Sequence, residues 1–175
     1  MRKSDQKKWQ DLTRGLNDFK IEAGWFEDNR YNNGMSVAEI ARIQNFGANI
    51  HVTDKMRGWF AGQGINLKKN TQNIVIPPRP FMDNAAKRVQ GQEGYNAVIG
   101  ALMMVFNGNL TMEQALSQLA FWLQGIVTEE FININSPALS GFTIEQRRKN
   151  KEKGTKPLQA SGQMLASIQG RATKK

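Results

Sequence analysis

The spacing of apolar residues changes several times along the chain, and each change marks an element. Over residues 4–19, Trp9, Leu12, Leu16 and Phe19 recur at intervals of three and four, one apolar stripe that predicts a helix. Residues 20–27 switch to alternation, with Ile21, Ala23 and Trp25 (or Phe26) between polar neighbours, as in a half-buried strand. The segment 29–34, NRYNNG, has the composition of a turn. Ser36 and Glu39 then form a capping-box pair ahead of Val37, Ile40, Ala41 and Ile43. That pattern predicts a helix over about 37–45, with Gly47 where a left-handed cap falls. Residues 50–76 are strand-like and punctuated by Gly58, Gly62 and Gly64. They read as a long, projecting hairpin with its turn near 68–73, or as a segment holding a short helix near 56–61.

The second half is mostly helical in pattern. Pro77, Pro78 and Pro80 bracket Arg79 and keep that stretch extended, because proline fixes its own φ and donates no amide proton. Phe81 starts a helix that GQEG at 91–94 breaks or bends before it continues to Phe106. Thr111 and Gln114 give a second capping-box match. Met112, Leu116, Leu119, Leu123 and Ile126 follow, spaced four, three, four and three, in a helix to about 134 that is about 35 Å long. The helices at 81–106 and 111–134 are expected to pair antiparallel. Ser136 and Pro137 end the run, and 143–153 reads as a short basic helix. A solvated linker, KEKGTKP, leads to an amphipathic segment carrying Leu158, Met164, Leu165 and Ile168. The expected fold class is α+β: a small, mostly antiparallel sheet packed with several helices, plus the long β-hairpin and a C-terminal arm.

Charge sharpens the boundary of that arm. The 175 residues carry a net charge of +9, and residues 146–175 hold nine Lys or Arg against the single acid Glu152. The other residues are nearly balanced, so two units are expected: an α+β domain at 1–145 and a basic arm at 146–175 that orders on assembly. Arg147, Arg148, Lys149, Lys151 and Lys153 are its candidate contacts to an anionic partner, either DNA or an acidic protein surface. The arm has no Phe, Tyr or Trp, so it lacks the stacking residues of a single-strand reader, and sequence-specific readout is not expected. A solubilising tail is the plain alternative.

Candidate chemistry is sparse. With no cysteine and one histidine, disulfides, thiolate metal sites, cysteine nucleophiles and multi-histidine sites are excluded. His51 has no serine or acid arranged around it and reads as structural. Glu129 and Glu130 are adjacent on a helix and point about 100° apart, which is no paired acid–base site. GWFAGQG lacks the lysine and Ser/Thr of a phosphate loop. No cofactor and no enzymatic activity are expected. No apolar run approaches the roughly 20 residues of a membrane span, and the first ten residues lack the apolar core of a signal peptide, so no membrane partner is expected.

Three landmarks in order, SVAEIARIQNFGA at 36–48, IPPRPFM at 76–82 and KPLQASGQMLASI at 156–168, resemble the tail-completion and head–tail joining (neck) proteins of long-tailed bacteriophages. That group includes the minor tail protein Z-like family. Asn45 stands where that pattern more often has glutamate, and Ala160-Ser161-Gly162 replaces the usual run into Thr-Gly. The resemblance covers about 20–168. It implies a structural virion protein at the head–tail junction, present in the host cytoplasm during assembly. It implies self-association as a ring, often six-fold, with connector or adaptor and tail-terminator or tail-tube proteins as neighbours and packaged DNA as a nonspecific contact. Arg79, on its stiff segment, is a candidate for a salt bridge within the fold or across a subunit boundary. Phe81, Trp59 and Phe60 complete the expected interface set.

Overall fold

The computed structural model describes residues 2–26, 29–32, 34–149, 151 and 155–175. Helix α1 (Lys3–Leu16) leads into strand β1 (Phe19–Gly24). Helix α2 (Val37–Phe46) starts where expected: Ser36 Oγ accepts from the Glu39 amide. The chain then runs through β2 (Ala48–His51), α3 (Asp54–Gly62) and β3 (Asn73–Ile76). Helices α4 (Phe81–Gln90), α5 (Gln92–Phe106) and α6 (Met112–Asn133) follow. The chain ends with α7 (Gly141–Lys149), α8 (Gln163–Ala166) and β4 (Gln169–Lys174). Thr111 and Gln114 form both halves of the predicted capping box at α6. The fold is α+β, helix-rich, with its strands in two separate antiparallel ribbons, β1–β4 and β2–β3.

The core forms where α2, α4, α6 and the C-terminal segment meet. Val37, Phe81 and Phe131 are fully buried. The rings of Trp25, Phe81 and Phe131 lie 5.3–5.4 Å apart in edge and tilted contacts, the geometry that aromatic quadrupoles favour. Trp25 Nε1 donates to the Met164 carbonyl at 2.7 Å, so the indole is satisfied while its body stays apolar. Helices α4 and α5 both pack on α6, the broad apolar stripe read from the sequence.

Two expectations need correction. The 50–76 segment is a hairpin only at its base, where β2 and β3 pair from Ala48↔Ile76 to His51↔Asn73. Its middle is helix α3, because Thr53 caps it by accepting from the Met56 amide and Asp54 sits in its first turn. The three glycines there mark the helix and its exit, not a strand. Helix α3 buries no residue, and Arg57 ties the returning loop back by donating to the Lys68 and Thr71 carbonyls.

The second correction concerns the C-terminal arm, which is not a separate unit where it is described. Leu158, Met164 and Ile168 belong to the main core. Strand β4 pairs with β1 along its whole length, from Phe19↔Lys174 to Gly24↔Gln169. A strand with unpaired amides is costly, and β4 satisfies the inner edge of β1. Gln124 on α6 holds the start of β4 from both sides, donating to the Ile168 carbonyl and accepting from the Gly170 amide. A Cβ on Gly170 would sit 2.1 Å from the Ala120 carbonyl oxygen, so strand and helix touch backbone to backbone there.

Candidate interaction cleft

Asn45 organises the junction between the first two landmarks. It is buried, accepts from the Met82 amide at 2.9 Å and donates to Asp83 Oδ2 at 3.0 Å. It thereby caps α4 from outside, where Pro80 offers no side-chain cap. Gly47 follows with φ 75° and ψ 173°, a positive φ but not the left-handed helical cap expected. A Cβ there would lie 2.7 Å from the Ile76 carbonyl oxygen and 3.0 Å from Pro78 N, so glycine is required by approach as well as by φ.

The Arg79 amide donates to the Gln44 and Asn45 carbonyls, which closes the PPRP segment onto the end of α2. Its side chain is 4% exposed. The guanidinium donates to Gln44 Oε1 at 2.9 Å, the Pro137 carbonyl at 3.2 Å and the Pro77 carbonyl at 3.4 Å. Among the described residues no carboxylate pairs with it, so of the two expected salt bridges, within the fold or across a subunit boundary, the one within the fold is not formed and neutral acceptors take its place. Its Nε is buried without a partner. Burial, and then the neighbouring charge of Arg147, hold this guanidinium below its ordinary pKa.

These elements wall a cleft of about 620 Å³. One side carries Ile40 and Gln44 from α2, and another carries Ile74, Val75 and Ile76 of β3. The C-terminal landmark contributes Leu158, Ser161, Gly162 and Met164, and α7 contributes Thr143 and Arg147. All three sequence landmarks therefore meet on one surface, with the buried Arg79 among its lining residues.

The predicted site residues divide. Arg79, Phe60 and Arg147 come together at the cleft. Arg147 also donates to the Lys156 carbonyl at 2.8 Å, which braces α7 against the C-terminal segment. Phe81 is fully buried, so it is a core residue and not an interface residue. Trp59 is 61% exposed on α3, edge-on to Phe60 at 5.0 Å. Arg148, Lys149 and Lys151 are exposed near the end of α7, and Lys153 lies outside the described residues. Sequence reasoning missed Tyr31, Ile74 and Val75; only the hydrophobic run before the prolines hinted at the last two.

A charged cluster also escaped the sequence reading. Arg88 on α4 pairs with Glu93 on α5 and with Glu129 and Glu130 on α6, at 2.9–3.0 Å. The two adjacent glutamates thus share one guanidinium. Among the described residues no group of three His, Asp or Glu could hold a metal, and no helix is long and apolar enough to cross a membrane. No protein-family model, no curated protein and no solved structure matches the chain.

Proposed function

We propose that this chain is a structural virion protein of a long-tailed bacteriophage. It completes the tail or joins it to the head connector, as one subunit of a ring around the DNA channel. One observation carries the reading: the three landmarks of the resemblance, at 36–48, 76–82 and 156–168, all contribute residues to the lining of a single cleft. That the three segments line one cleft supports reading them together as one surface. Closed rings use heterologous contacts, in which one face of a subunit fits a different face of the next. The cleft supplies a concave face, and α3 exposes Trp59 as a candidate contact for a neighbour.

The experiment is a knockout of the gene in its phage, followed by negative-stain electron microscopy of the lysate. DNA-filled heads beside separate tails are expected. Intact infectious particles at normal yield would overturn the reading. The other candidate would then lead: nonspecific DNA binding through Arg148, Lys149 and their neighbours, with a steep salt dependence.

A further inference from the structure

The segment that joins β2 to β3 is basic and faces solvent. Residues 53–71 hold Lys55, Arg57, Lys68 and Lys69 against Asp54 alone, and Asp54 sits in the first turn of α3, where the helix dipole favours an acid. Lys55, Lys68 and Lys69 are exposed, and among the described residues none of the three makes an ion pair or hydrogen bond through its ammonium group. Arg57 donates to the Lys68 and Thr71 carbonyls, so the loop that carries Lys68 and Lys69 is held against α3.

The same helix exposes an aromatic ring. Trp59 stands one turn after Lys55, which puts the two on one side of α3. It is 61% exposed, and its edge-on contact with Phe60 at 5.0 Å limits how the indole can turn. Phe60 lines the cleft, whereas Trp59 stays outside it. An exposed, held indole with cations on its own helix and on the loop beside it suits an unstacked base and its flanking phosphates. Residues 146–175 have cations without any aromatic residue to stack on. An acidic protein surface would answer the lysines of α3 and its loop but not the indole.

We infer that this segment is a contact for single-stranded nucleic acid: a strand lies across α3, one base stacks on Trp59, and the phosphates pair with Lys55 on the helix and with Lys68 and Lys69 on the loop. Thr53 and Arg57 are already taken by backbone groups, so neither reads the sugar, and DNA and RNA bind alike. The contact belongs to the free chain and needs no ring, so it stands apart from the virion reading.

The test is fluorescence anisotropy of the full chain with labelled oligothymidylate and oligouridylate of about 20 nucleotides, over a range of salt. The two are expected to bind equally, and more tightly than a duplex of the same length. Lys55→Gln, Lys68→Gln and Lys69→Gln together are expected to weaken binding at least tenfold at low salt. They are also expected to flatten the slope of log affinity against log salt by about 2, since each lost phosphate contact removes about 0.7. Trp59→Ala is expected to weaken binding about fivefold or more with the slope unchanged. Lys3→Gln with Lys7→Gln, exposed cations on α1, is expected to change neither. Helix α3 buries no residue, so each variant is expected to melt with the parent, which a thermal melt checks. Five results would overturn the contact: no binding by the parent, tighter binding to the duplex, a tenfold preference for one sugar, competition by polyglutamate as strong as by unlabelled oligonucleotide, or undiminished binding by either folded α3 variant.

Discussion

Single side chains in this protein act mainly by capping and by close approach. Asn45 both accepts from the Met82 amide and donates to Asp83. Asn45→Ala loses the cap and one further bond, and a loss of about 1–2 kcal/mol is expected in chemical denaturation. Asn45→Asp keeps the acceptor but sets two carboxylates at bonding distance, so it is expected to be the less stable of the two at neutral pH. The same test applies to the glutamate commoner in the resembled pattern: Asp83 makes the neutral amide the better fit here. Phe81→Ala empties the centre of the Trp25–Phe81–Phe131 cluster. A cost of about 3–5 kcal/mol is expected, with altered tryptophan emission, since Trp25 loses an edge contact. The Ser36 and Thr111 caps and the aromatic positions were legible in the sequence, and the cap supplied by Asn45 was not. The partner of each was not, because Asn45 and Asp83 are brought together only when PPRP folds back onto α2.

Between elements, backbone approach and one ionic hub set the packing. Gly170→Ala drives a methyl into the Ala120 carbonyl, and Gly125→Ala, on the open side of the same helix, meets nothing within 4 Å. The first is expected to lower the melting temperature sharply, and the second to leave it unchanged or raised. Arg88 joins α4, α5 and α6 through three carboxylates. Its hydrogen bonds hold Glu93 below the ordinary carboxylate value of 4.5. A lowered folded-state pKa means stability that is present above 4.5 and lost as pH falls through the folded value. Arg88→Met is therefore expected to melt below the parent at pH 7, with the gap closing as the pH falls below 4.5. Differential scanning fluorimetry across pH reads both effects. The sequence showed Glu129 and Glu130 only as neighbours pointing about 100° apart on a helix; that they share a cation on another helix depends on how α4 lies across α6.

Over the whole molecule, the two ends of the chain are one structural unit. Deleting residues 169–175 strips β1 of its partner and exposes the face of α6 beneath. The shortened chain is expected to lose cooperative unfolding and to be cut rapidly by trypsin within β1 and α1. A free arm would be removed without effect on the melt, so the two accounts separate cleanly.

What the sequence determined by itself was local. Helices α1, α2, α4, α5 and α6 were readable because an apolar stripe, a cap and a breaking glycine or proline all act within a turn or two. The extended PPRP segment was readable because proline fixes its own backbone. Helix α3 was read as the lesser of two options, since it buries nothing and so leaves no apolar stripe to see. Strand β4 was hidden for a related reason: QGRATK is polar on its open side and charged near the chain end, the composition of an edge strand and of a tail alike. Only the tertiary structure decided that β4 closes on β1, that Arg79 is buried among carbonyls, and that the three landmarks share one cleft. Each of these depends on contacts between residues far apart in the chain, which no local pattern encodes and which form only as the core around Phe81 and Phe131 is packed.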